Sequence, residues 1–435
     1  MEISLNIPRK VEATVTLPTS KSISNRALLI QALCPERQCN IAHLAVCDDT
    51  EHMQQGIEAK RAGTPFIDIG ATGTAMRFLT AYLAITPSET VLTGSERMQQ
   101  RPIKVLVEAL RALGADISYT RHEGYPPLRI VGKNLQGGEV EVEAGISSQY
   151  ISALLMIGPC LTDGLTLRLK GTIASRTYIE LTLDLMRHYG ATAEWTDEQT
   201  IHIAPGGYTD RPLTVEGDWS GASYWYELAA IASHCGHEME ICLGGLTANS
   251  KQGDRIVAEM FEPLGVSTEY TKEGAKITAT PQSSLRRGLV GRDAGVILPE
   301  GGKRATLDFS HCPDIVQTLA VTCCLLDVPF TFSGIHSLRI KETDRVAALI
   351  TELYKLGYVL RAEGNELLIW DGERTEPEPH PTIVTYDDHR MAMAFAPAAL
   401  CHEGLTIENP EVVTKSYPGY WEDLLKFKKI KVENS

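Results

Sequence analysis

Residues Thr14–Leu33 read TVTLPTSKSISNRALLIQAL. The alternation in Thr14–Leu17 has the strand period of two. A polar turn follows, and then the small-residue apolar run Asn25–Leu33, which suits a buried helix. The same succession recurs five more times. The copies are PFIDIGATGTAMRFLTAYLAI from Pro65, GEVEVEAGISSQYISALLMIG from Gly138, PLTVEGDWSGASYWYELAAIA from Pro212, ATLDFSHCPDIVQTLAVTCCL from Ala305 and PTIVTYDDHRMAMAFAPAAL from Pro381. A second strand-loop-helix half follows, as in TVLTGSERMQQRPIKVLVEALRALGA from Thr90 and TFSGIHSLRIKETDRVAALITEL from Thr331. Several of these helices end in a glycine turn at Gly114, Gly190, Gly265 and Gly357, the expected helix stop. The chain therefore reads as an α/β protein of six repeated units. The first unit is short: the helix around Met53–Lys60 runs through Ala62-Gly63-Thr64 into the second copy, without the strand pair that other copies carry.

The length of 435 residues exceeds one ordinary core and predicts two domains. A net charge of −14 argues against a nucleic-acid partner, so any anion must be met by locally concentrated basic residues. No apolar run is long enough for a membrane span or a signal peptide, which predicts a cytoplasmic protein with no membrane partner. The ten cysteines show neither CxxC pairing nor a disulfide scaffold and read as buried thiols. The twelve histidines form no HExxH, and there is no GxxxxGK[ST] loop. Neither a metal nor a cofactor is expected.

If the units share one polarity, their helix N-termini gather, each offering unpaired N–H groups and a partial positive charge. Anions bind such ends. The turns there carry Ser20-Lys21-Ser22 and Arg26, Arg97–Pro102, Ser147-Ser148-Gln149, Arg339–Arg345, Asp387–Arg390 and Thr414–Pro418. Each motif taken singly could be an ordinary helix cap or a solvated charged face. Their coincidence at equivalent turns points to one anion-handling site.

These blocks also carry a resemblance. PTSKSISNRALL, GTAMR, RMQQRP, SSQYISALLM, RIKETDR, DDHRMAMAF and TKSYP resemble, in order, the blocks of the 5-enolpyruvylshikimate-3-phosphate synthase family over nearly the whole chain. Sister enzymes that act on a nucleotide sugar normally carry a loop cysteine after the second copy. Here Ser95-Glu96-Arg97 fills that region, and no cysteine lies between Cys47 and Cys160.

The resemblance implies an inside-out α/β fold: two globular domains, each of three strand-helix units with helices packed in parallel. The implied domains are residues 20–216, on the shikimate 3-phosphate side, and residues 1–19 plus 217–435, with the active site in the cleft between them. It implies a monomer with no cofactor, whose partners are two small molecules, phosphoenolpyruvate and shikimate 3-phosphate. Ser22, Arg26, Ser147, Ser148, Gln149, Ser175, Tyr178, Asp314 and Lys341 are implied to bind shikimate 3-phosphate. Lys21, Gly73, Arg101, Gln149, Arg345, Arg390 and Lys415 are implied to bind phosphoenolpyruvate. Asp314 is the implied base, Glu342 the implied proton donor, and Lys21 shares the proton handling. The implied reaction is enolpyruvyl transfer by addition and elimination, a step toward chorismate and the aromatic amino acids. Three residues depart from the family pattern: Ala71 stands where the glycine loop usually has asparagine, Phe78 where it has proline, and Ser337, four before Lys341, where the family has asparagine.

Overall fold

A computed structural model describes residues 1–3, 9–36, 39–281 and 304–427. The chain forms two compact units, Thr19–Val215 and Met1–Pro18 with Glu216–Ser435. The polypeptide passes from one to the other at Pro18–Thr19 and at Val215–Glu216.

The Thr19–Val215 unit holds helices α1 (Lys21–Leu33), α2 (Asp48–Arg61), α3 (Gly73–Ile85), α4 (Lys104–Ala112), α5 (Ser148–Ile157) and α6 (Arg176–His188). The other unit holds α7 (Trp219–His234), α8 (Val257–Phe261), α9 (Val316–Leu325), α10 (Arg345–Lys355), α11 (His389–Phe395) and α12 (Tyr420–Leu425). The first helix of each repeat is buried nearly all round: every residue of α9 is buried, and all of α5 except Gln149. Such a helix belongs in a core. Helices α3 and α5 pack together in one unit, and α9 packs against α7 and α11 in the other. The second helices are amphipathic. Helix α4 buries only Leu106, Val107, Ala109 and Leu110.

Four sheets share one order. In each, an entry strand pairs in parallel with the strand that follows the first helix, and an antiparallel hairpin completes the sheet. Phe66–Asp68 joins Ser88–Thr93, Gly138–Glu143 joins Leu165–Lys170, and Ala305–Asp308 joins Phe330–Ser333. A parallel pair needs a long crossover, and the buried helix supplies it. The glycine turns hold as read, with φ of 95°, 87°, 92° and 90° at Gly114, Gly190, Gly265 and Gly357.

Two features differ from a simple repeat. The first and fourth entry strands are exchanged. Lys10–Thr16 pairs with Glu238–Gly244, which follows α7, while Leu213–Thr214 pairs with Ile41–Ala42, which follows α1. The exchange falls where the chain passes between units, so each entry strand stays in the unit it leaves. In addition, among the described residues, the hairpin absent from the first repeat is also absent from the sixth, where Thr382–Ile383 pairs only with Thr406–Ile407.

One buried group makes stability depend on pH. Glu227, in the middle of α7, is fully buried. Burial pushes its carboxyl well above the ordinary value of 4.5, and neighbouring Thr322 offsets only part of this. A carboxyl with a raised folded pKa supports the fold below its unfolded pKa, and that support is lost as pH rises through the folded value. Glu227→Gln is therefore expected to raise the melting temperature by several degrees at pH 8 and to leave it nearly unchanged at pH 4. Equal shifts at both pH values would contradict the buried acid.

Candidate active site

In the unit containing α7–α12, the sequence motifs meet around one guanidinium. Arg345 is the first residue of α10, after Asp344, which caps the helix by accepting from the Ala347 N–H. Its side chain is buried, and Nε donates to Asp388 Oδ2 at 2.7 Å. Nη1 donates to Asp314 Oδ1 at 3.1 Å, and Nη2 to Glu342 Oε2 at 3.0 Å. Burial works against this charge, but Asp388, Glu342 and Asp314 outweigh it and hold the Arg345 pKa above its usual value. Asp388, fully buried, also caps α11 by accepting from the Arg390 N–H.

The remaining cations pair with the same carboxylates. Arg390 Nη2 lies 3.1 Å from Asp314 Oδ2, and Lys341 Nζ lies 3.6 Å from Asp314 Oδ1. Lys415 Nζ donates to Glu342 Oε1 at 2.8 Å. Burial lowers the Lys341 pKa, and Asp314 works the other way. Asp314 thus faces three cations and Glu342 two. An arriving phosphate or carboxylate meets charges already assembled, and it competes for them with two carboxylates. A carboxylate that loses its cation takes up a proton more readily.

A fourth acid, Asp254, was not singled out in the sequence. It is buried, accepts from the Ser220 hydroxyl, and is pushed up to about 7 by burial and by the charge of Asp314. A sequence signal existed: Gly253-Asp254-Arg255 matches Thr343-Asp344-Arg345 at the equivalent turn.

In the Thr19–Val215 unit the named residues gather at helix starts. Lys21 Nζ donates to the buried Asp49 at 3.0 Å, another partner the sequence motifs did not reveal. Ser147 caps α5 by accepting from the Gln149 N–H, and the Gln149 amide donates to Thr74 Oγ1 at 3.2 Å. Ser148 is buried at the first turn of α5. Ser175 precedes α6 with φ of 55°, a left-handed conformation that costs a non-glycine residue energy.

Arg101 lies against the start of α3. A Cβ at Gly73 would stand 2.8 Å from its Nη2 and 2.9 Å from its Nη1. Arg77 steadies this loop, donating to the Gly73 and Pro102 carbonyls at 3.3 and 2.9 Å. Gly73→Ala must therefore displace the Arg101 guanidinium. If Arg101 binds a substrate anion, as the family resemblance implies, KM for that anion is expected to rise about tenfold with a smaller change in kcat. Steady-state kinetics checks this, and an unchanged KM would remove Arg101 from the binding set.

Arg26 had a surface alternative in the sequence, and the structure removes it. Arg26 is buried and donates to Thr182 Oγ1 at 2.7 Å, Ser152 Oγ at 3.1 Å and the Ser22 carbonyl at 2.9 Å. Among the described residues it pairs with no carboxylate, and burial lowers its pKa to about 10. Its guanidinium lies 5.4 Å from the ring centroid of Phe78 and 5.6 Å from that of Tyr178. The departure at Phe78 thus supplies a face for this cation. If Arg26 binds a substrate anion, as the family resemblance implies, Phe78→Leu is expected to raise KM for that anion several-fold. An effect confined to kcat would contradict the contact. Of the other departures, Ala71 is exposed in the turn before α3 and Ser337 is buried.

No helix among the described residues is long and apolar enough to cross a membrane. Among them there is also no group of three or more His, Cys, Asp or Glu side chains placed to hold a metal ion.

The model of the EPSP synthase (3-phosphoshikimate 1-carboxyvinyltransferase) family matches residues 5–64 and 59–424. The chain is 52% identical over 426 residues to a 3-phosphoshikimate 1-carboxyvinyltransferase of Bacteroides fragilis, covering 98% of each. It is 36% identical over 449 residues to the protein of that name from Photobacterium profundum, covering 97% of this chain and 98% of that one. An EPSP synthase structure from Acinetobacter baumannii shares the fold, with a TM-score of 0.73 at 22% identity over 98% of this chain and 97% of that one. The two-domain α/β expectation agrees with this likeness. With the family model spanning nearly all of the chain and relatives similar along their whole length, the chain belongs to the EPSP synthase (3-phosphoshikimate 1-carboxyvinyltransferase) family.

Proposed function

We propose that the chain transfers the enolpyruvyl group of phosphoenolpyruvate to the 5-hydroxyl of shikimate 3-phosphate, releasing phosphate. Family membership supports the reaction. The observation that carries the chemistry is the Arg345 cluster, where four cations surround two partly accessible carboxylates, Asp314 and Glu342.

Phosphoenolpyruvate is assigned to Lys21, Arg101, Arg345, Arg390 and Lys415, with Gly73 and Gln149 beside it. Shikimate 3-phosphate is assigned to Ser22, Arg26, Ser147, Ser148, Gln149, Ser175 and Tyr178, with Asp314 and Lys341 at its reacting side. Asp314 takes the proton of the 5-hydroxyl as the oxygen bonds to C2 of phosphoenolpyruvate. Glu342, with Lys21 sharing the proton handling, delivers a proton to the methylene carbon. The tetrahedral ketal phosphate then loses phosphate, and a methyl proton leaves to restore the double bond. The cations stabilise the intermediate and the departing phosphate. The protein is taken to act in the cytoplasm as a monomer on two free small molecules.

Phosphate release from phosphoenolpyruvate, measured with shikimate 3-phosphate and separately with a UDP-amino sugar, tests the acceptor. Release with shikimate 3-phosphate alone is expected. Release only with the sugar would overturn the assignment, and release with neither would point to an anion-binding relative without turnover.

A further inference from the structure

The cysteines are less uniformly buried than their apolar surroundings in the sequence suggest. Cys34, Cys47, Cys312, Cys323 and Cys324 are buried, while Cys160, Cys235, Cys242 and Cys401 are exposed. Two of the exposed thiols meet. Cys235 ends α7, and Cys401 follows the Ala396–Leu400 turn that continues α11. They are 166 residues apart in sequence, yet their Sγ atoms stand 3.6 Å apart. Each backbone position is fixed: the Cys235 N–H donates to the Ile231 carbonyl at 2.9 Å, and the Cys401 N–H to the Ala398 carbonyl at 2.9 Å. The pair therefore results from how α7 and α11 pack, and it is open to solvent. Two thiols in contact at the surface can be oxidised together, whereas an isolated one stops at a mixed disulfide.

We propose that Cys235 and Cys401 are a dithiol site that a low-molecular-weight disulfide converts into a reversible intramolecular disulfide. Cys235 is the attacking thiol. The hydrogen bond from Cys401 lowers its pKa to about 7, while the same contact raises that of Cys401. A thiol with a pKa near ambient pH is the effective attacker. With oxidised glutathione, the Cys235 proton goes to solvent, its sulfur bonds to one glutathione sulfur, and the other glutathione leaves as thiolate. The Cys401 thiol then gives up its proton, its sulfur bonds to Cys235 Sγ, and the second glutathione leaves. Two protein thiols are oxidised, and one disulfide is reduced to two thiols.

The bond would join the C-terminal ends of segments whose N-terminal ends carry Asp218, Ser220, Asp388 and Arg390. It constrains the α7 and α11 segments without touching the reacting groups.

The test treats the native protein with oxidised glutathione, counts free thiols and maps linked peptides by mass spectrometry. Loss of the Cys235 and Cys401 thiols is expected, with one internal Cys235–Cys401 link and a melting temperature raised by roughly 5–10 °C, while the exposed Cys160 and Cys242 carry at most a glutathione adduct. Dithiothreitol should reverse both. Cys401→Ser should stop at a glutathione adduct on Cys235, and Cys235→Ser should form no link. The proposal is overturned if both thiols stay free, if the adduct persists on Cys235 in the unaltered protein, or if the only disulfide joins two chains.

Discussion

Replacing Asp314 with asparagine is expected to lower kcat by about 10²–10⁴-fold, the range for removing a positioned acid or base, while KM for phosphoenolpyruvate stays the same or falls. Asparagine keeps the size and one acceptor of aspartate, so of Arg345 on Oδ1 and Arg390 on Oδ2, each at 3.1 Å, one keeps its partner oxygen and the other faces the amide NH2. What is lost is a negative charge and the ability to take a proton. Without that charge, Lys341, Arg345 and Arg390 are less neutralised, and a trianionic substrate is bound no worse. A structural role alone would weaken binding and stability together. Separate measurement of kcat, KM and the unfolding midpoint distinguishes the two, and near-normal kcat would remove Asp314 from the base role.

Replacing Arg345 with methionine is expected to damage both fold and chemistry. Asp388 is fully buried and takes both Nε and Nη2 of Arg345, at 2.7 and 3.3 Å. Methionine fills much of the space but leaves that carboxylate without its guanidinium, a loss of about 3–5 kcal/mol for a broken buried pair. It also frees Glu342 and Asp314 from the shared cation, and activity should fall at least about 10³-fold. Arg345→Lys is not expected to rescue it, because one ammonium cannot reach three carboxylates in the geometry of the guanidinium fork. Urea unfolding and steady-state kinetics on both variants check this. A lysine variant with more than about a tenth of normal activity would contradict the pairing scheme.

Much of this architecture is legible in the sequence, because strand period, polar turn and buried helix are local properties. The six entry runs and the glycine stops at Gly114, Gly190, Gly265 and Gly357 all fall where expected. The exchange of Lys10–Thr16 for Leu213–Thr214 is not legible, because it is set by pairing across some 200 residues rather than by either strand. The candidate site divides in the same way. Its cations stand out as clusters in turns, whereas Asp49, Asp254 and Asp388 become its counter-charges only when separate turns meet. Phe78 reads as a departure from pattern until the fold places its ring beside Arg26.

Turnover in deuterium oxide reads out the proton step assigned to the Glu342 carboxylate. Addition followed by elimination passes through a methyl group that has gained one solvent deuteron, so the vinyl carbon of the product should carry deuterium. Exchange into recovered phosphoenolpyruvate should require shikimate 3-phosphate and should drop in Glu342→Gln. Full turnover with no deuterium in the product would contradict protonation of the methylene carbon, and with it the role given to Glu342.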